Sequence, residues 1–158
     1  MLDKLNKGVS ETLKASLDES KVRDGMDIAL CSINYNTMEL DFAGAYNPLI
    51  IIRNEQIIEI KGDNISVGSY SENPDAHYTN HKVKLEKGDV LYVFSDGYAD
   101  QFGGPDGKKF KTSYLKKTLQ RMSDVHISQQ RNMLEKVIED WRAGLMQVDD
   151  MLVIGVKV

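Results

Sequence analysis

Leu2, Leu5, Val9, Leu13 and Leu17 recur at helical intervals with Lys, Asp, Glu and Ser between them, so the chain is predicted to open with an amphipathic helix. The apolar stripe needs cover. The expected cover is this chain's own sheet, and an exposed dimer or partner face is the other reading. From Met26 the period changes. Met26 to Tyr35 and Glu39 to Ala43 are extended runs around Asn34-Tyr35-Asn36-Thr37, which predicts a hairpin with an Asn-rich turn. Pro48 to Arg53 and Gln56 to Lys61 repeat the device around Asn54-Glu55, extending the prediction to a β-meander. A loop with Gly62, Asp63, Asn64, Gly68, Ser69 and Pro74 follows. Then His77 to Leu85 alternates loosely, and Asp89 to Ser95 is apolar enough for a central strand.

Beyond Gly103-Gly104-Pro105-Asp106-Gly107, Leu115, Leu119 and Met122 mark a helix. A second helix is predicted with Ser128 as its N-cap and Met133, Leu134, Val137, Ile138 and Trp141 on one face. Met151 to Val158 is expected to close the chain as a buried strand. Early strands, two helices and a final strand predict an α+β fold, a largely antiparallel β-sandwich flanked by helices. The last strand is expected to enter the sheet beside Asp89 to Ser95, bringing Asp96 and Asp149 to neighbouring strand ends. No repeat, low-complexity stretch or linker divides the sequence, so residues 1–158 are expected to form a single domain.

At 158 residues, with 41% hydrophobic and 28% charged residues, the chain can bury a core without disulfides. A net charge of −4 with scattered lysines offers no basic field, so nucleic acid is not an expected partner. No apolar run approaches the ~20 residues needed to span a bilayer, and the charged start is no signal peptide. The segment is expected to be cytoplasmic and to make no membrane contact, although a longer parent protein could be membrane-anchored. The single cysteine, Cys31, lies in an apolar strand pattern and is expected to be a buried structural thiol.

Val90-Leu91-Tyr92-Val93-Phe94-Ser95-Asp96-Gly97 runs an apolar strand into a carboxylate and a glycine, and Asp149-Asp150 opens the closing strand. A carboxylate at the end of a buried strand calls for a cation, hydrogen-bond donors or a shifted pKa, and a hard divalent metal suits it. Asp-Gly also simply turns a chain, and Asp-Asp can simply start a strand; the two together favour a site. His77, His81 and His126 lack companion ligands and are expected at the surface. Asp63, Asp75 and Asp106 read as solvated loop acids, whereas Asp100, just past the Ser-Asp-Gly turn, stands apart. The Gly103 to Gly107 loop lacks Gly-Lys-Ser/Thr and is expected to be a surface loop or flap rather than a phosphate cradle. Lys108, Lys109 and Lys111 beside it suit either solvation or an acidic phosphoprotein.

Four blocks, Asp27-Ile28-Ala29, Phe42 to Leu49, Gly88 to Gly97 and Gln147 to Met151, together resemble the metal-dependent PPM-type (protein phosphatase 2C-like) serine/threonine phosphatases. The branch is that of stage II sporulation protein E and the stress-response phosphatases of partner switching, and the resemblance covers nearly the whole chain. It implies an αββα sandwich whose cleft binds two Mn²⁺ or Mg²⁺ ions, hard cations that prefer oxygen ligands. It also implies in-line attack by water on phosphorus and, as substrate and partner, a small regulatory protein phosphorylated on serine or threonine. By motif position it makes Asp96 and Asp149 metal ligands and Asp150 a residue that orients its neighbours. Ser95 would support the Asp96 carboxylate, Gly97 would turn the chain sharply behind it, and Asp100 would be a supporting or substrate-side acid.

One departure matters. The family's early acidic strand and Gly-Asp-x-x-Gly-x-Gly-like turn precede the helix that here starts near Met1, and neither is found in this sequence. Asp24-Gly25-Met26-Asp27 lacks the small-residue helix that should follow such a turn. The chain is therefore expected to be the C-terminal portion of a PPM-type domain, incomplete at its N-terminus, with a partial metal site and no activity alone. Self-association through the face left open is a further expectation. The alternatives are a noncatalytic phosphatase-like interaction module and an unrelated α+β domain without metal chemistry.

Overall fold

A computed structural model describes residues 1–16, 25–68 and 77–158. Leu17, Asp24, Ser69, Pro74 and Asp75, which figure in the sequence reading, lie outside the described residues. The chain divides into two compact units.

The first unit holds residues 1–49 and 60–85. It contains helix α1 (Leu2–Ser16) and strands β1 (Ile28–Asn34), β2 (Glu39–Ala45) and β5 (His81–Lys84) in the order β1-β2-β5. Both pairings are antiparallel, running from Ile28↔Ala45 to Asn34↔Glu39 and from Glu39↔Lys84 to Phe42↔His81. The predicted Asn-rich hairpin closes because the Asn34 side-chain oxygen accepts the N–H groups of Asn36 and Thr37 at 3.0 and 3.1 Å. Leu2 is fully buried with Ala43, Ala45, Val67 and Tyr78, and Val9 packs against the same cluster, so the helix docks on its own sheet. Cys31 is exposed, contrary to expectation: β1 is an edge strand, and Cys31 and Ser32 both reach solvent.

The second unit holds residues 50–59 and 86–158. Its main sheet runs β4-β3-β6-β9, from β3 (Leu49–Arg53), β4 (Gln56–Ile60), β6 (Val90–Phe94) and β9 (Val153–Lys157). The expected continuous meander is therefore broken. The second side of β2 is occupied by β5, so the chain leaves the first sheet after Ala45, takes a left-handed residue at Tyr46 (φ 56°) and starts a new sheet at β3. Asn54 and Glu55, both left-handed at φ 48° and 61°, form the two-residue turn into β4.

Between β6 and β9 the chain forms a short helix α2 (Gly97–Asp100), strands β7 (Phe102–Gly103) and β8 (Lys108–Lys109), then helices α3 (Thr112–Arg121) and α4 (Ile127–Arg142). Period-2 alternation puts Val90, Tyr92 and Phe94 of β6 on the face that packs with Leu115, Leu119, Leu134 and Ile138 of the helices. Buried polar groups are matched there. Burial pushes the Tyr92 phenol up to about 12, and its hydroxyl donates to Gln130 Oε1 at 2.7 Å. Gln130 in turn donates to the carbonyls of Met122 and Val125. The cap of α4 is His126 rather than Ser128: the imidazole Nδ1 accepts the Ser128 N–H. Met133, expected on the apolar face, is partly exposed, and so is Ile154 of β9, which is an edge strand rather than a buried one.

The acid of the Gly88-Asp89 pair is structural. Asp89 is 1% exposed and takes a two-point contact from Arg53, Nε to Oδ1 at 2.9 Å and Nη2 to Oδ2 at 2.6 Å, plus the Glu86 N–H at 2.9 Å. Burial pushes its pKa up, but the bonds from Arg53 and Glu86 outweigh this and hold the carboxyl below its ordinary value. A depressed folded-state pKa contributes stability that is present above the unfolded value and lost as pH falls through the folded one. Asp89→Asn is expected to lower unfolding stability by about 1–3 kcal/mol at neutral pH, because it takes the charge out of the buried two-point contact with Arg53, which keeps its pair with Glu86. In chemical denaturation the deficit should shrink only below about pH 4.

Candidate functional site

The pairing of β6 with β9 builds the site. The strands run antiparallel from Val90↔Lys157 to Phe94↔Val153, so the end of β6 and the start of β9 coincide. Ser95-Asp96 and Asp149-Asp150 thereby become neighbours, as expected from placing the last strand beside β6. The junction is held by one hydroxyl. Ser95 Oγ donates to the Asp150 carbonyl at 2.8 Å and accepts the Leu152 N–H at 2.9 Å, while Ser95 N–H donates to the Leu152 carbonyl at 3.0 Å. Ser95 thus fastens two backbones instead of supporting the Asp96 carboxylate, which corrects the role expected for it.

Gly97 is needed for space. Its φ is outside the left-handed region, so it makes no glycine-only turn, contrary to the sequence reading. A Cβ there would sit 2.4 Å from the Asp150 carbonyl oxygen and 3.2 Å from the Asp149 carbonyl carbon, so only a glycine lets the Asp149-Asp150 backbone cross here.

Asp96 occupies the N-cap position of α2, yet its αR backbone (φ −71°, ψ −22°) leaves the side chain without a capping bond. Its carboxylate is exposed and has no hydrogen-bond or ion-pair partner among the described residues. Asp149 Oδ1 accepts the Asp150 N–H at 2.7 Å, and Gln147 Nε2 donates to the Asp149 carbonyl at 2.7 Å. Asp150 acts on its neighbours through its backbone, as acceptor for Ser95 and donor to Asp149. Asp100 is engaged: its carboxylate pairs with Lys109 Nζ at 2.7 Å.

The Gly103-Gly104 loop is a packing element. Cβ atoms there would meet Trp141 at 2.1 Å and 2.7 Å, and the Gly104 N–H donates to the Trp141 carbonyl at 2.7 Å. Gln101, which the sequence reading passed over, is fully buried between this loop and the segment leading to Asp149.

Asp96 and Asp149 offer hard, anionic oxygens at one strand junction, and among the described residues no cationic side chain pairs with either. This donor chemistry suits Mn²⁺ or Mg²⁺. Among the described residues no three His, Cys, Asp or Glu side chains gather as a metal-binding group, so the two carboxylates fit such an ion as part of a donor set. Among the same residues no helix is long and apolar enough to cross a membrane.

The crossing at Gly97 generates a direct expectation. Gly97→Ala should lower stability by about 1–3 kcal/mol, the usual cost of overpacking, and speed amide exchange at Asp149 and Asp150. Thermal unfolding and hydrogen exchange measure the two effects.

No curated protein sequence matches the chain. Among solved structures it is similar to the SiaA-PP2C domain of Pseudomonas aeruginosa, at 24% identity and a TM-score of 0.87 over 99% of this chain and 59% of that one. It is similar to the phosphatase domain of the cell fate determinant SpoIIE from Bacillus subtilis, at 17% identity and a TM-score of 0.64 over 99% of this chain and 73% of that one. The RsbU and RsbW domains of Rv1364c from Mycobacterium tuberculosis also match, at 10% identity and a TM-score of 0.66 over 98% of this chain and 46% of that one. These likenesses establish the α+β fold of PP2C-type domains. The family profile for stage II sporulation protein E (SpoIIE) matches residues 1–158, and the chain belongs to that family of PP2C-type phosphatase domains.

Proposed function

We propose that the chain acts as the phosphatase module of a bacterial signalling protein, removing phosphate from serine or threonine of a small regulatory protein in partner-switching fashion. A cytoplasmic location goes with that role. One observation carries the reading: the β6–β9 junction brings the Asp96 and Asp149 segments together and leaves the Asp96 carboxylate exposed and, among the described residues, unpartnered. Asp89 and Asp100, by contrast, are paired with Arg53 and Lys109. An exposed carboxylate at a junction that brings in a second acid, Asp149, offers hard oxygens to a cation.

Asp96 and Asp149 would hold Mn²⁺ or Mg²⁺, the ions on which PP2C-type domains depend. When bound, such an ion neutralises phosphate charge and acidifies water. The protein's own residues supply the frame: Ser95 and Gly97 fix the crossing of the two backbones, and Asp149 is steadied by Asp150 N–H and Gln147. The absence of a third gathered acid among the described residues favours a second reading, a noncatalytic module that binds the same phosphoprotein.

The two readings separate in one assay. With Mn²⁺ and a phosphoserine protein substrate, the full-length protein should release phosphate. Asp96→Asn should cut turnover by at least about 100-fold, since losing a residue that merely supports a ligand costs about 10–100-fold. Its unfolding stability should stay within about 0.5 kcal/mol of the wild type, as for other exposed sites. Wild-type turnover by Asp96→Asn would defeat the assignment of Asp96 as a metal ligand, and binding of the phosphoprotein without turnover by the wild type would defeat the phosphatase reading and establish the module.

The unpaired side of β9 supports self-association, with a second copy adding its own strand antiparallel so that Ile154, 48% exposed, is covered in both copies. Sedimentation of the 158-residue chain should show a dimer that grows with concentration and is lost in Ile154→Lys.

A further inference from the structure

The Asp149 arm is a loop. Between α4 and β9 the chain from Ala143 to Leu152 has no helix or strand, and Leu145 to Asp150 are all exposed. Such a segment gains little from packing, so polar anchors must fix the position of Asp149. One anchor is Ser95, after the aspartate. The other is Gln101, before it.

Gln101 is 0% exposed, and its amide is used at both ends. Nε2 donates to the Met146 carbonyl and to the Phe102 carbonyl, each at 3.0 Å, and Oε1 faces the Val148 N–H at 3.4 Å. Its own carbonyl accepts from Trp141 Nε1 at 3.2 Å and from the Phe110 N–H at 2.9 Å. The residue is thus immobilised by the helix-side core and reaches across to grip the loop on both sides of Gln147, whose side chain bonds the Asp149 carbonyl. A buried amide costs several hydrogen bonds if mismatched, and a leucine would fill the volume without that demand. The stretch Ser95 to Gln101 therefore carries Asp96 and both anchors of the Asp149 arm.

We infer that Gln101 is a positioning residue for the metal centre, holding Met146 to Val148 so that Asp149 stays at the strand junction with Asp96. The inference rests on the reading of Asp149 as a metal ligand. Gln101 touches neither ion nor substrate, and its contribution is to the ordering of the arm before the ion arrives. Gln101→Met keeps the side chain's length and apolar stem but removes both hydrogen-bonding groups. Gln101→Glu keeps an oxygen facing Val148 and removes the donor to Met146.

The test is a calorimetric titration of the full-length protein with Mn²⁺ alone, with Asp149→Asn alongside. Asp149→Asn is expected to weaken Mn²⁺ binding strongly, and Gln101→Met to raise the dissociation constant by about 10-fold, the lower end of what a lost supporting bond costs. Gln101→Glu, which turns a buried anionic oxygen toward the Met146 and Phe102 carbonyls, should weaken binding at least as much. If Asp149→Asn weakens binding while Gln101→Met binds Mn²⁺ as tightly as the wild type, the positioning role is overturned. If Asp149→Asn itself binds normally, the ligand reading fails and the inference falls with it. A measurement on the wild type covers the case in which the variants do not fold: the Val148 amide, in an exposed residue, should exchange more slowly than that of Gln147. Equal exchange at the two would also overturn the inference.

Discussion

The contact on which the site depends is the passage of the Asp149-Asp150 backbone over Gly97, so close that no Cβ fits between them. It is possible because β6 and β9 end together, and it is kept in register by the Ser95 hydroxyl, which bonds the second strand's backbone twice. The order of causes runs from below. Val90, Tyr92 and Phe94 anchor β6 on the α3 and α4 side, β9 pairs along it, and the two acidic loops can then arrive only at one place. The chemistry of the junction is inherited from strand register, since a slip of one residue would send every side chain of β9 to the other face.

The acids of the second unit separate into two kinds by their surroundings. Asp89 is removed from water and held by Arg53 in a two-point contact, so its charge is spent on the fold. Asp100 is tied to Lys109 across the short β7–β8 hairpin. Asp96 sits where a helix cap normally consumes a carboxylate, yet its backbone conformation denies it that bond. The same residue type thus serves stability in one place and stays available in another, and the difference lies in backbone geometry and in which cation the fold supplies.

Much of this was legible in the hydrophobic pattern. The 3.6-residue stripe of α1, the apolar run of β6 and the closing strand were each visible, and the adjacency of Asp96 to Asp149 followed from placing the last strand beside β6. The break between β2 and β3 was not legible, because a run of alternating residues does not say which strand will occupy its second edge; β5, distant in sequence, does so. The exposure of Cys31 and Ile154 was missed for the related reason that edge position is a property of the sheet. Ser95 and Gly97 were recognised as part of the motif, but their roles depend on a backbone that arrives from more than fifty residues away, at about Asp150. Gln101 gave no signal at all, since one glutamine beside a phenylalanine has no pattern until the loop it grips is in place.

The central claim is that Asp96 and Asp149 form one cation-binding unit. Paramagnetic broadening by substoichiometric Mn²⁺, followed amide by amide in the isotope-labelled protein, tests it most directly. The signals of Asp96, Gly97, Asp149 and Asp150 are expected to be lost together at the lowest Mn²⁺ addition, ahead of those of other exposed acids such as Asp106 and Asp124. Broadening that begins at those acids, or that reaches one side of the junction without the other, would contradict it.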